Sequence, residues 1–109
     1  ITPAFAATPE GQVAAQQLQA VLLANDPQAY IESCNAVAAI DFRDSNRRVA
    51  VPTLVIGGLQ DEATPFAMSE AIAAAIPHAR LASIDAAHVS AVERPVEFAQ
   101  LLIDYWRSL

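Results

Sequence analysis

The sequence predicts an α/β protein that holds only the end of a doubly wound parallel sheet. Residues 51–58 (VPTLVIGG) form a continuous, mostly β-branched run without polar alternation, which is typical of a strand covered on both faces. A helical segment and a second short apolar run at 80–84 follow, and this order implies two parallel strands joined by a crossover. Two parallel strands alone leave both sheet edges unpaired. We therefore expect the sheet to be incomplete on its own.

Composition excludes several classes of partner. The 109 residues are 54% hydrophobic and carry a formal net charge of −6, and an acidic chain repels nucleic acids and anionic membranes. No apolar run reaches the roughly 18 residues that a bilayer-spanning helix needs, and no signal peptide is recognisable. Cys34 is the single cysteine, so no internal disulfide forms and we expect a cytoplasmic protein. The chain starts at Ile1 rather than methionine, and we expect it to be a piece of a longer protein.

The first predicted helix begins at a clear start signal. Thr8 supplies an N-cap hydroxyl and Pro9 occupies the first helical position. Apolar residues then recur at helical spacing until the NDP stretch at 25–27, which ends the helix. This pattern predicts a helix with one buried face.

The second predicted helix repeats the same arrangement. Asp26 is the predicted N-cap, Pro27 opens the helix, and the pattern extends to about Ala39. Cys34 lies on its apolar stripe, so we expect a small core residue there and not a thiolate nucleophile. The polar stretch 41–48 is predicted as a loop or a short helical turn.

The second half of the chain alternates strands and helices. A strand is predicted at 53–57, and Thr64 as N-cap with Pro65 opens the helix after it. The second strand is predicted at 80–84, and Pro95 opens a closing helix. Two apolar stripes give these helices their expected core sides: Met68, Ile72 and Ile76 in the first, and Phe98, Leu101, Leu102, Tyr105 and Trp106 in the second.

Asp61 and His88 form a candidate catalytic pair. Each follows one of the two predicted strands by four residues, and ligands gather beyond the carboxyl ends of parallel strands. A carboxylate beside an imidazole fixes its tautomer and stabilises the imidazolium that forms when it takes a proton. Each residue alone also has a structural interpretation: Asp61 as a helix cap or solvated loop residue, and His88 as a satisfied histidine at a strand end. Their joint position favours the catalytic interpretation.

The remaining titratable side chains near this edge are expected to serve structure or solubility. His78 lies in a predicted turn and is expected to be exposed and without a role. Glu62 and Asp85 are interpreted as surface charges, and Glu93 as a hydrogen-bonding or capping residue near the last helix.

No metal, cofactor or nucleophile is predicted within the chain. Its two histidines and one cysteine lack metal-ligand spacing, and Gly57-Gly58 lacks the other residues of a phosphate-binding loop. A His–Asp pair of this kind works on a nucleophile, usually a serine within G-x-S-x-G. No serine of the chain has glycines two positions before and two after it.

Two stretches together resemble the C-terminal part of α/β-hydrolases: VPTLVIGGLQDEATP and AAHVSAVERPVEFAQLLIDYW. In that family the triad acid follows a strand within G-x-x-D-x-x-[TV]-P, and the histidine precedes E-x-P and a closing amphipathic helix. The matching residues are Gly58, Asp61, Thr64, Pro65, His88, Glu93 and Pro95. The resemblance implies that Asp61 is the triad acid and His88 the triad base. It also implies that residues 1–40 end a helical cap and that residues 41–109 form the C-terminal part of the core.

Within the family, the stretches ANDPQAYIESCNAVAAIDFRD and DAAHVSAVERPVEF most resemble 3-oxoadipate enol-lactonases of the β-ketoadipate pathway of aromatic catabolism. This resemblance implies a hydrolase of a carboxylic ester or lactone that acts on a small carboxylated substrate. An N-terminal segment carrying the nucleophile serine is then the expected partner, and this chain alone is expected to be inactive. Arg43, Arg47 and Arg48 are candidates for contacting the substrate carboxylate. The alternatives are another α/β-hydrolase (an esterase, a C–C hydrolase or a haloperoxidase-like enzyme) or a non-catalytic α/β interaction module.

Overall fold

A computed structural model describes residues 1–109, with seven helices and one two-stranded parallel sheet. The helices are α1 (Pro3–Ala6), α2 (Pro9–Leu23), α3 (Pro27–Ala39), α4 (Arg43–Asn46), α5 (Phe66–Ala75), α6 (Ser90–Glu93) and α7 (Pro95–Arg107). The strands are β1 (Leu54–Gly58) and β2 (Arg80–Ile84). None of the helices combines the length and the apolar character needed to cross a bilayer.

The sheet confirms the predicted β-helix-β unit. β1 and β2 pair in parallel, with Leu54 opposite Arg80 at one end and Gly58 opposite Ile84 at the other. α5 connects the two strands and packs against both of them. The carboxyl ends of the strands therefore lie side by side, and the loops that follow them meet at one edge of the sheet.

The glycine pair that ends β1 is required by close packing. A Cβ on Gly57 would lie 2.6 Å from the ring of Phe66, so α5 approaches the strand more closely than a larger residue would permit. A Cβ on Gly58 would lie 2.6 Å from the carbonyl oxygen of Ala86 and 2.8 Å from that of Ala87. The loop after β2 therefore rests directly on the end of β1.

The N-terminal helices begin where the sequence predicts. The hydroxyl of Thr8 accepts a hydrogen bond from the Gly11 amide at 3.0 Å at the start of α2. The carboxylate of Asp26 accepts one from the Ala29 amide at 2.9 Å at the start of α3. α4 is the short helical turn expected in the polar stretch. The sequence does not predict α1, because a helix of four residues is too short to show periodicity.

The predicted N-cap of α5 is wrong. Pro65 occupies the N-cap position and makes no side-chain capping bond. The hydroxyl of Thr64 instead donates a hydrogen bond to Asp61 at 2.7 Å, because the loop turns back on itself before the helix begins. The start of α5 is therefore set by the proline, and Thr64 belongs to the loop that holds Asp61.

Little of the chain is buried. Only nine of 109 residues are buried, and the hydrophobic ones are Ala14, Ile76, Ile84 and Ala86. The prediction that Cys34 lies in the core is wrong, since its side chain is exposed and α3 has no buried residue. No other element of this chain covers the apolar side of α3. The two predicted core positions Met68 and Ile72 of α5 are also about half exposed, at 52% and 41%.

Candidate active site

Asp61 and His88 are in direct contact at the carboxyl edge of the sheet. Asp61 lies in the loop after β1 and His88 in the loop after β2, and the parallel pairing brings these loops together. The distance from Asp61 Oδ2 to His88 Nδ1 is 2.9 Å. The two residues that the sequence selects therefore form a hydrogen-bonded carboxylate–imidazole pair.

Asp61 is held by its own loop. Its Oδ1 accepts hydrogen bonds from the amides of Ala63 at 2.9 Å and Thr64 at 3.0 Å, and its Oδ2 accepts one from the Thr64 hydroxyl. The hydroxyl and amide of Thr64 hold the pKa of Asp61 well below its usual range, against the opposing effect of burial, and His88 adds to the shift. Asp61 is therefore ionised at neutral pH.

The two partners differ in their exposure to solvent. The side chain of Asp61 is only 7% exposed, whereas that of His88 is 58% exposed. The carboxylate lies behind the imidazole, and the imidazole faces the open side of the site. A histidine that accepts a proton from a substrate or nucleophile must be accessible, while the acid that orients it lies buried behind it, and this arrangement has both features.

The His88 loop is fixed to the Asp61 loop by backbone hydrogen bonds. The amide of Leu59 donates to the carbonyl of Ile84 at 2.9 Å, and the amide of Gln60 donates to that of Ala86 at 3.0 Å. The side chain of Gln60 also donates to Asp85 at 2.6 Å. These bonds continue the strand pairing into the loops and hold the two side chains in register.

The pair lines an open cleft of about 570 Å³. One wall is the loop from Leu59 to Ala63, a second wall contains Ala87 and His88, and the third is the N-terminal stretch Ile1–Pro3. No serine, cysteine, lysine or arginine of this chain lines the cleft. The one lining hydroxyl is that of Thr2, which donates to the carboxylate of Glu93, so the chain contributes an acid and an imidazole to the cleft but no serine or thiol nucleophile.

Comparisons with known proteins agree on one fold. No protein-family model matches the chain. It is 34% identical to 3-oxoadipate enol-lactonase 2 of Acinetobacter baylyi over 76% of this chain and 31% of that protein. It superposes on the enol-lactonase of Burkholderia xenovorans with a TM-score of 0.84 and 32% identity, covering 88% of this chain and 37% of that one. A hydrolase of Pseudomonas aeruginosa gives a TM-score of 0.86 and 33% identity over 97% of this chain and 39% of that one.

The chain corresponds to the C-terminal part of an α/β-hydrolase. It spans about a third of the length of the curated relatives that it matches. The incomplete sheet predicted from the sequence is therefore confirmed. The two strands and their helices are one portion of a larger α/β-hydrolase sheet.

The arginines considered for substrate binding lie away from the cleft of this α/β-hydrolase part. Arg43 lines a separate groove and its guanidinium holds Asp41 through bonds of 2.9 and 3.0 Å. These bonds lower the pKa of Asp41 to about 2. Arg47 lies 4.0 Å from Asp44, and neither it nor Arg48 lines the cleft.

Thr64 contacts the Asp61–His88 pair, which the sequence interpretation did not predict. Its hydroxyl lies 2.7 Å from Asp61 Oδ2 and 3.2 Å from His88 Nδ1, so it contacts both members of the pair. The D-x-x-T spacing was a usable signal, because an aspartate often accepts hydrogen bonds from residues two and three positions later. The helix-cap interpretation of Thr64 concealed it.

Glu93 also lies close to the Asp61–His88 pair. It is 4% exposed, and its Oε2 accepts hydrogen bonds from the amides of Thr2 at 3.0 Å and Ala87 at 3.3 Å. Its Oε1 accepts a hydrogen bond from the Thr2 hydroxyl. Burial raises the pKa of Glu93, but the hydrogen bonds from Thr2 and Ala87 outweigh it and lower the pKa overall. The predicted hydrogen-bonding role is confirmed, with partners outside the last helix.

Proposed function

We propose that this chain supplies the acid and the base of a Ser-Asp-His triad that hydrolyses carboxylic esters or lactones. The contact of 2.9 Å between Asp61 Oδ2 and His88 Nδ1, at the edge of a cleft, is the observation that carries the proposal. The likeness to proteins named enol-lactonases supports this class of reaction.

The contact with Asp61 indicates which ring nitrogen of His88 carries the proton. An ionised carboxylate only accepts hydrogen bonds, so Nδ1 of His88 carries the proton that it donates to Asp61. Nε2 is then the unprotonated nitrogen and makes no hydrogen bond within the chain. It accepts the proton of a serine hydroxyl as that serine attacks the carbonyl, and Asp61 stabilises the resulting imidazolium. His88 then returns the proton to the leaving oxygen, and water releases the acyl group by the same route.

The nucleophile is proposed to lie on a preceding N-terminal segment. In α/β-hydrolases the triad order along the chain is serine, acid, histidine, and the serine occupies a strand-to-helix elbow. The chain spans about a third of its relatives, which leaves length for such a segment. Within this proposal residues 1–40 belong to a helical cap and residues 41–109 to the core. This chain alone is then inactive.

The proposed substrate is a small lactone or ester of the 3-oxoadipate enol-lactone type. The name of the relative from Acinetobacter baylyi supports this choice. A cytoplasmic role in aromatic catabolism belongs to the same proposal. We assign none of the three arginines to the substrate carboxylate, since none of them lines the cleft.

The test uses the complete protein that contains this chain. Turnover of an enol-lactone, a simple aryl ester and an amide is measured for the wild type, Asp61→Asn and His88→Ala. We expect hydrolysis of the lactone and a loss in kcat of about four orders of magnitude in Asp61→Asn, because the wrong imidazole tautomer is then favoured. The aryl ester and the amide define how far the activity extends beyond lactones. A lactone turnover that survives both substitutions would contradict the proposal.

A further inference from the structure

The carboxylate of Glu93 joins three separate parts of the chain. Glu93 ends α6, Thr2 lies at the N-terminal wall of the cleft, and Ala87 directly precedes His88. Thr2 itself is 3% exposed, and its hydroxyl also accepts a hydrogen bond from the Phe5 amide at 3.2 Å at the start of α1. The contact between residues 2 and 93 therefore connects the two sides of the cleft.

A buried carboxylate is stable only where its oxygens have donors. Removing an ionised group from water costs far more than removing a neutral one, unless hydrogen bonds compensate. Glu93 has three such donors, and two of them are the backbone amides of Thr2 and Ala87. If the carboxylate is removed, the amides of Thr2 and Ala87 lose a buried acceptor and their segments are free to move.

We propose that Glu93 is a positioning residue of this site. Its three hydrogen bonds with Thr2 and Ala87, which we call the clasp, connect the wall at residues 1–3 to the backbone that carries His88. The inference rests on the proposed hydrolase function. Glu93 does not face the reacting atoms, and it acts by holding the Ala87 amide. A displacement of about 1 Å in a catalytic group lowers the rate by up to roughly 100-fold. The distance between His88 Nδ1 and Asp61 therefore depends on a residue that touches neither side chain.

The experiment compares substitutions in the complete protein. Glu93→Ala removes both oxygens, whereas Glu93→Gln keeps one acceptor for the two amides and turns a donor toward the Thr2 hydroxyl. kcat is expressed per active site, titrated with a fluorophosphonate probe, so that loss of folded protein does not count as loss of rate. We expect kcat per titrated site to fall about 10- to 100-fold in Glu93→Ala, with a smaller change in KM, and to be largely restored in Glu93→Gln.

A matched control distinguishes the loss of the clasp hydrogen bonds from the loss of a negative charge. Glu97 is exposed in the first turn of α7, and Glu97→Ala removes a carboxylate that lies outside the clasp. We expect this variant to keep the wild-type kcat. A second pair of variants, Thr2→Val and Thr2→Ser, tests the clasp from its other side if Glu93→Ala does not fold. We expect a several-fold loss of kcat per site in Thr2→Val and none in Thr2→Ser.

The outcomes distinguish the inference from the function on which it rests. If the wild type is active, His88→Ala is inactive and the Glu93 and Thr2 variants keep the wild-type kcat per titrated site, only the positioning role is overturned. If the wild type hydrolyses no lactone, ester or amide, the proposed function fails and the inference fails with it. A loss confined to Glu93→Ala and Thr2→Val, with recovery in the two conservative variants, supports the clasp.

Discussion

Hydrogen bonds from Thr64 lower the pKa of Asp61 more than its contact with His88 does. Its amide and hydroxyl supply two of the four hydrogen bonds that Asp61 accepts, and its hydroxyl also lies 3.2 Å from His88. Hydrogen bonds to the charged form of a carboxyl lower its pKa, because protonation would break them. The acid is therefore kept ionised and oriented mainly by its own loop, and His88 adds one further hydrogen bond.

This arrangement makes stability depend on pH through Asp61. The folded pKa of Asp61 lies well below its unfolded value of about 4, so its contribution to stability is fully present above about pH 4 and is lost only as the pH falls through the folded pKa. In Thr64→Val the folded pKa moves back toward the unfolded one, and this contribution shrinks. We expect a lower urea midpoint than wild type at pH 7, and we expect the difference to shrink only in strong acid, as the pH falls toward the folded pKa of Asp61. Thr64→Ser keeps the hydroxyl and should match wild type, whereas a difference that does not shrink even in strong acid would refute the assignment.

At the scale of elements, the end of β1 determines where the His88 loop can rest. Gly57 and Gly58 are adjacent, but their missing side chains make room for different neighbours. Gly57 admits the ring of Phe66 on α5, and Gly58 admits the carbonyl groups of Ala86 and Ala87. Only the second contact concerns the loop that carries His88.

We expect Gly57→Ala and Gly58→Ala to differ in their effect on kcat, although both lower the stability of the protein. Both substitutions overpack a tight contact, which costs typically about 1–3 kcal/mol of unfolding free energy. Gly58→Ala pushes directly on the loop that carries His88, so we expect kcat of the complete protein to fall about 10-fold or more. Gly57→Ala should lower Tm without a comparable loss of kcat. Thermal melts and active-site-titrated kinetics measure both effects, and equal kcat values in the two variants would argue against this role of Gly58.

At the scale of the whole molecule, most of the large apolar side chains of this chain are exposed. Trp106 on α7 is 79% exposed and Val37 on α3 is 70% exposed, although both lie on stripes with helical spacing. Exposed apolar surface on this scale is typical of an interaction site or an aggregation hazard. The parallel pair β1–β2 likewise has an unpaired edge on each strand.

Residues 1–109 alone are therefore expected to behave as an incomplete fold. We expect the isolated chain to bind the dye ANS, to self-associate and to melt without a sharp transition, because its apolar faces remain in water. The complete protein should bind little dye and melt cooperatively. Dye fluorescence, sedimentation velocity and calorimetry on both proteins provide the comparison. A monomeric isolated chain with a sharp melt and no dye binding would count against this expectation.

Features that depend on neighbours along the chain could be predicted from the sequence. The caps at Thr8 and Asp26 are local hydrogen-bonding patterns, and the strand predicted at 53–57 from a β-branched run is found one residue later, at Leu54–Gly58. The contact between Asp61 and His88 was also predictable, because the carboxyl ends of neighbouring parallel strands meet at one edge. By itself the sequence thus determined the two strands, the longer helices, their order and the pair at the sheet edge, whereas the four-residue helices α1 and α6 were not predicted.

Only the tertiary structure decided the features that join distant residues. The contact of Glu93 with Thr2 spans 91 positions, and no local pattern records such a separation. The buried or exposed state of Cys34 depends on what covers α3, and a stripe on a helix does not say whether its partner is in the same chain. Thr64 could cap a helix or hold Asp61, and the path of the loop selected the second. Periodicity and spacing describe one segment at a time, whereas these contacts exist only once the segments have packed together.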